Sequence, residues 1–333
     1  MACRQAGPLA TVVVGGDCLL ARSASTAIPP SGDGRWADIA RACRGADAFA
    51  FNLETSVGKG GQARQKRFIF QAPPGSLDPI AELGPSVAAL ANNHSMDFGR
   101  EGLLATIACL DAAGMAHAGG GANLREAWRE ARMRCPGGFV AVLSAGVDDD
   151  PSSFSPADAP VLAPIDRLSL VRRVAECASD SVAVVVMLHW GAEYDMRYTE
   201  AQRSLAHALV DAGASLVAGS GPHVLRGIES YHGGLVCYSL GNLVFDDLGS
   251  RETASSAIVR MEARAGKDGK AIVRFAVAPL VTRVPDGGPR RPSREEAAGL
   301  AASLAARSPE PEIFGARKPA LRDGLYWFDL GSR

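Results

Sequence analysis

Ala89-Leu-Ala-Asn-Asn-His-Ser-Met-Asp-Phe-Gly99 is the stretch that decides how the rest of this chain reads. The apolar run from Val87 to Ala91 has the character of a short buried strand. It stops at two amides and an imidazole, a carboxylate follows three residues on, and Arg100-Glu-Gly-Leu-Leu104 opens a helical period. Open α/β sheets carry their chemistry at such strand ends. Asn93 and His94 offer metal or proton chemistry, and Asp97 is close enough in sequence to orient the imidazole or share its proton. The competing reading is a helix N-cap, with Ser95 or Asp97 as the capping residue.

Working outward, other apolar runs end the same way. The strand around Thr11 to Val14 closes on Gly15-Gly16 with Asp17 at its carboxyl end, placed to bind a metal or act as a base. Ala48-Phe-Ala-Phe-Asn-Leu-Glu54 ends in Asn52 and Glu54, which alternation puts on one face. Ser181 to Leu188 is a continuous apolar run, as expected of a strand buried on both faces, and it ends at His189 beside Trp190, Glu193 and Tyr194. His223 sits in a tight Gly/Pro turn after the strand Ala214–Gly219, and Gly234 to Asp247 adds Tyr238, Ser239, Asn242 and Asp246. Each residue alone is more often a cap or a core group. Their common placement favours one metal-dependent site. Arg22, Lys66, Arg67 and Arg226 are candidate carboxylate anchors, each more readily a solvated charge.

Between these points the pattern predicts helices over Trp36–Arg44, Arg100–Ala113, Leu124–Arg132, Leu168–Ala178, Thr199–Ala212 and Glu295–Ala306. Phe68-Ile-Phe70 reads as a strand after an exposed Gly- and Lys/Arg-containing lid, and Asp148-Asp-Asp150 as part of a long solvated loop. From Arg251 the strands Ala257–Ala263 and Ala271–Val277 form a hairpin through Lys267-Asp-Gly-Lys270. Residues 1–250 are thus expected to form the core, and 251–333 to complete the same domain. His117 and His207 are expected to pack rather than react.

The 333 residues carry a net charge of -1, with 47% hydrophobic and 21% charged residues, an ordinary globular composition. That balance gives no electrostatic footprint for nucleic acid or a membrane surface. No signal-peptide pattern opens the sequence and no uncharged apolar run is long enough to span a bilayer, so a cytoplasmic location is expected. Seven scattered cysteines fit reduced thiols better than a disulfide framework.

Gly16-Asp17, Asn52-Leu-Glu54, Ala91-Asn-Asn-His-x-x-Asp97-x-Gly99, His189-Trp-Gly-x-Glu-Tyr194, Gly219-Ser-x-Pro-His-Val224 and Tyr238-Ser-Leu-Gly-Asn242 resemble, in order, the motifs of the CapA-type (poly-γ-glutamate capsule protein) family. The resemblance spans about residues 10 to 250. It implies a calcineurin-like metallophosphoesterase fold, an α/β four-layer αββα sandwich with a metal site at the strand ends. Asp17, Glu54, Asn93 and His189 are the expected metal ligands. His94 with Asp97, and His223 with Asp17, are the expected acid/base pairs, and Trp190, Glu193, Tyr194 and Asn242 the expected substrate contacts.

Two departures bear on the metal. Gly221 stands where the family has a first histidine, and Leu19 where calcineurin-type enzymes carry the histidine of Asp-x-His. The remaining oxygen-rich set suits a single Ca²⁺, Mg²⁺ or Mn²⁺ better than a binuclear Zn/Fe centre. The expected function is a metal-dependent acid/base enzyme on a peptide or glutamyl substrate. Epimerisation beside a terminal carboxylate is its sharpest form. The rivals are a hydrolase of a phosphoester or γ-glutamyl amide, and a binding protein without chemistry. Substrate and oligomeric state are not legible.

Overall fold

Two sheets lie face to face in the computed structural model, which describes residues 9–27, 36–265, 271–283, 288–310, 313, 319–322 and 324–332. In the first, Ala10–Cys18 is central. Ala48–Leu53, Ser86–Ala89 and Ala116–Ala118 extend it on one side as a parallel series, and Ser255–Ala265, Ala271–Arg283 and Leu325–Ser332 on the other as an antiparallel one. In the second, Gly138–Gly146, Ala183–His189, Leu216–Ser220 and Gly234–Cys237 are parallel, with antiparallel strands Ala131–Cys135 and Ile228–Tyr231 at the edges. The parallel strands are β-branched and buried on both faces, which is why they read as unbroken apolar runs.

Three apolar layers follow. Val12, Val14, Val87, Val142, Val185, Met187 and Met261 fill the space between the sheets. Val13, Phe49, Phe51 and Ala88 pack outward against Ile39, Leu103 and Leu110 of the helices Ala37–Cys43 and Gly99–Ala112. Leu143, Val184 and Val186 pack outward against Leu170, Val174, Leu205 and Leu209 of Arg167–Ala178 and Glu200–Asp211. The result is an αββα sandwich. A further helix, Arg294–Arg307, adds Leu300, Ala301 and Leu304 to the core between the sheets. Among the described residues no helix is long and apolar enough to cross a membrane.

Local propensity failed in three places. Leu124–Ala127 is a single helical turn, and Ala131–Cys135 is instead an edge strand paired with Gly138–Gly146, its side chains alternating between core and solvent. Phe68 and Ile69 are exposed coil, and only Gln71–Ala72 forms a short strand, with Ser56–Val57. Leu325–Ser332, unmarked in the sequence reading, pairs with Ala271–Arg283. The Lys267–Lys270 turn lies outside the described residues.

Gly15-Gly16 fixes where the first strand delivers its carboxylate. A Cβ on Gly16 would lie 1.9 Å from the Gly241 carbonyl oxygen, so only glycine lets the chains approach there. The pairing register shifts between Val14 and Asp17, and Asp17 comes opposite Asn52 on one side and Asn242 on the other. The two sheets also converge at this end. A Cβ on Gly146 would meet the Ala91 carbonyl oxygen at 1.8 Å. The loop after Ala91 is thereby pressed against the end of Gly138–Gly146, whose last residue pairs with His189 on the neighbouring strand.

Candidate metal centre

Asp17, Glu54 and His189 are buried, and each offers a ligand atom within 4.8 Å of the others. Asp17 is held by hydrogen bonds. Asn52 Nδ2 donates to its Oδ1 at 2.9 Å, and the Gly221 amide donates to both oxygens at 3.1 Å. His223 Nδ1 lies 3.3 Å from Asp17 Oδ2 and 3.0 Å from Asn242 Oδ1. Both neighbours accept, so Nδ1 carries the proton and Nε2 points toward Glu54, 3.8 Å away. Burial disfavours the Asp17 charge, but the hydrogen bond and positive charge of His223 outweigh it and hold this carboxyl below its usual range.

Glu54 is the odd member. Neither carboxylate oxygen has a hydrogen-bond partner, and the nearest imidazole nitrogens, at 3.8 and 3.9 Å, are beyond hydrogen-bond reach. Burial and the adjacent Asp17 charge push its pKa well above the usual value. The His223 pKa is raised as well. Burial opposes its charge, yet Glu54 and Asp17 raise its pKa to about 9. His189 is pushed down to about 4, chiefly by burial, and its Nδ1 lies 3.1 Å from Asn52 Nδ2.

The two adjacent asparagines divide their labour. Asn92 is spent on structure: its Nδ2 donates to Asn52 Oδ1 and the Leu53 carbonyl, and its Oδ1 accepts from the His94 amide and Ser95 Oγ. Asn93 Oδ1 is buried without a partner. The orphaned acceptors of Glu54, with one neutral imidazole and one hydrogen-bonded carboxylate, form a donor set suited to a hard divalent cation, and Asn93 Oδ1 is a further acceptor without a partner.

Beside this cluster Asp97 Oδ2 lies 2.8 Å from His94 Nδ1 and accepts from the Phe70 amide at 2.8 Å. Its other oxygen takes Lys66 Nζ at 2.7 Å, and the same ammonium donates to the Asn93 carbonyl. Neither Ser95 nor Asp97 caps the following helix, whose N-cap Phe98 has no side-chain bond. The Phe70 ring sits 4.2 Å from that of His94, and Phe245 lies 6.3 Å from Phe70 and 4.5 Å from His223. An aromatic wall thus joins the two imidazoles. Sequence spacing could not reveal this wall, because Phe70 and Phe245 are distant in the chain.

Several expected contacts have other roles. Trp190 is 3% exposed, packs between the second sheet and its helices, and donates Nε1 to the Tyr238 carbonyl at 3.0 Å. It is a core residue rather than a substrate contact. Trp190→Phe is therefore expected to cost about 1 kcal/mol of stability from the lost hydrogen bond, with metal affinity unchanged, as read by denaturant unfolding and calorimetric titration. Asn242 gives its side chain to His223 and the Thr253 carbonyl, so it positions the imidazole. Arg226 is no surface charge. It is 1% exposed, and it donates to the Asp195 and Ala192 carbonyls, pinning the loop that presents Glu193 and Tyr194. Those two are exposed, with the Tyr194 ring 6.1 Å from His223. Asp148 of the acidic triplet is buried against Arg64 and Ser153 instead of solvated.

Comparison with known proteins agrees with this arrangement. Residues 11–247 match the model of the family described as bacterial capsule synthesis protein PGA_cap. The PGA biosynthesis protein CapA of Bacillus subtilis is 32% identical over 240 residues, which cover 71% of this chain and 62% of that protein. A probable polyglutamine synthesis accessory protein of Mycobacterium tuberculosis is 33% identical over 229 residues, covering 64% and 60%. The chain spans about three fifths of the length of these relatives. Among solved structures, a 5'-nucleotidase precursor from Thermus thermophilus matches with a TM-score of 0.50 at 16% identity, covering 90% of this chain and 58% of that one. That likeness places the sandwich among the calcineurin-like folds. With its polar strand ends gathered into one buried cluster and residues 11–247 matched by the family model, the chain belongs to the bacterial capsule synthesis protein PGA_cap family.

Proposed function

We propose that this chain is a divalent-metal-dependent hydrolase of a γ-glutamyl amide in a capsule-type polyglutamate. The observation that carries the reading is Glu54: a buried carboxylate with two orphaned oxygens, in ligand range of Asp17 and His189 and flanked by a charged imidazole. Asp17, Glu54, His189 and the amide oxygen of Asn93 would hold the ion. A divalent ion bound there supplies Lewis acidity toward a carbonyl or phosphoryl oxygen and toward water.

The protein's own groups divide the proton work. His223, protonated at neutral pH through Glu54 and Asp17, is a general acid for a departing amine. His94 has its Nδ1 bound to Asp97, which leaves Nε2 as the free position of an oriented imidazole. Lys66 takes the other Asp97 oxygen and so fixes the carboxylate in turn. Phe70 and Phe245 shield both rings from water.

The test is a panel of γ-glutamyl oligomers and simple phosphoesters, run with and without chelator in deuterated water. Cleavage of the glutamyl bond that chelator abolishes is the expected result, and His223→Gln should slow it about a hundredfold. Metal-dependent turnover of the phosphoesters alone would overturn the substrate assignment. Epimerisation beside a terminal carboxylate, the sharpest reading of the sequence, is the rival outcome of the same experiment. Deuterium entering the substrate α-carbon without bond cleavage would put it in place of hydrolysis.

A further inference from the structure

The mouth of the site carries a second chemistry that the metal cluster does not use. Residues 64–70 run from Arg64, held by Asp148, Asp150 and Ser153, through Lys66 on Asp97, to Phe70 on His94. Between the last two anchors Arg67, Phe68 and Ile69 face solvent. The Arg67 guanidinium lies 5.0 Å from the centre of the Phe68 ring, and that of Arg22 lies 5.8 Å from the same ring and 5.7 Å from Phe70. Two cations therefore share one exposed aromatic platform, which continues through Phe70 to the His94 ring.

Arg22 is held in place. Arg22 has a left-handed backbone, φ 58°, and its Nε is 3.2 Å from Asp246, which also accepts from Ser23 Oγ and the Ala24 amide. Arg67 is close enough to Tyr194 for its charge to ease ionisation of that phenol, although burial keeps the pKa raised. Among the described residues, four non-glycine positions have positive φ, and three of them, Arg22, Tyr194 and His223, belong to this opening. Such backbone strain persists where the surroundings over-determine it, as at ligand clamps. The acidic groups facing the patch are Asp246, already engaged, and Glu193 on the opposite loop.

The geometry points to an anion-binding subsite formed by Arg22 and Arg67 on Phe68, which holds a carboxylate of an extended polycarboxylate chain while a neighbouring bond lies at the metal cluster. This rests on the glutamyl reading above and sharpens it: the substrate would be a chain with repeated anionic groups, not an isolated amide. Guanidinium forks bind carboxylates in two-point fashion, and Phe68 brings two of them to one exposed ring.

Calorimetric titration of the full chain with a γ-linked glutamate oligomer, the matching uncharged glutamine oligomer and inorganic tripolyphosphate tests the proposal. The glutamate oligomer should bind, more weakly as salt rises, and Arg67→Glu should weaken it by about tenfold or more. Phe68→Ala should weaken it less, and Arg125→Glu, an equal charge change on a distant helix, should leave it unaltered. Unchanged affinity in Arg67→Glu and Arg22→Ala overturns the subsite. So does equal affinity for the glutamine oligomer. Arg67-dependent binding of tripolyphosphate without binding of the glutamate oligomer overturns the polycarboxylate assignment. Arg67-dependent binding of an oligomer that is never cleaved supports the subsite and overturns the hydrolase reading instead.

Discussion

Titrating Mn²⁺ into chelator-stripped protein raises its thermal midpoint, and Glu54→Gln removes that rise. The expectation follows from the two Glu54 oxygens, buried and without a hydrogen bond. A buried carboxylate in that condition costs the metal-free fold several kcal/mol or is forced to take up a proton, as its raised pKa indicates. A cation that binds only the folded state adds about 2.7 kcal/mol at a hundredfold excess over its Kd. For a chain of 333 residues that is a rise of about 5 °C. Glutamine fills the same space without a charge to bury. Glu54→Gln should therefore be more stable than the parent without metal, by about 1 kcal/mol or more, and less stable with it. The crossing of the two curves is diagnostic, because a purely structural glutamate would lose stability under both conditions. Differential scanning calorimetry with and without Mn²⁺, Mg²⁺ or Ca²⁺ reads the effect directly. If none of the three ions moves the parent's midpoint, the metal centre is wrong.

Why Glu54 could be picked out of the sequence, and Arg226 could not be placed, is a matter of range. Strand ends are local: an apolar run that halts at a carboxylate or imidazole is visible within ten residues or so, and parallel pairing then brings all such ends to one edge. Asp17, Asn52, Glu54, His94, His189 and His223 were legible for that reason. What those residues do with their hydrogen bonds depends on partners far along the chain. Asn92 and Asn93 are adjacent and chemically identical, yet only the three-dimensional position of Asn52 and Leu53 decides that the first is consumed and the second left free. Lys66 and Arg226 look like surface cations because most lysines and arginines are. One is captured by Asp97 and the other buried under the loop 191–195. The edge strands Ala131–Cys135 and Leu325–Ser332 escaped for a related reason. Ala131–Cys135 has little strand propensity, and Leu325–Ser332 offers only a short aromatic run, so pairing with a neighbour already in place decides the state of both.

The same coupled charges set the pH dependence of the metal-free protein. His223 has a folded pKa of about 9 against 6.5 for a free imidazole. In the window between these values the folded state holds a proton that the unfolded chain releases, so stability is fully present below pH 6.5 and falls as pH rises through about 9. The raised Glu54 pKa acts in the same direction, since the protons belong to the pair rather than to either residue. His189 bends the other limb. Its folded pKa of about 4 lies below 6.5, so stability falls as pH drops across that interval, and Asp17, held below its usual range, adds to the acid loss. Urea unfolding in chelator should therefore give a stability maximum near neutrality. His223→Gln should lose stability at neutral pH and show a flatter alkaline limb, because the proton that the folded imidazole retains is gone. Bound metal should shift both limbs outward, since the ion takes over the role of those protons. Parallel alkaline limbs in parent and His223→Gln would mean that the folded protein holds no extra proton at His223, and the proton-donor role assigned to His223 would fall with that result.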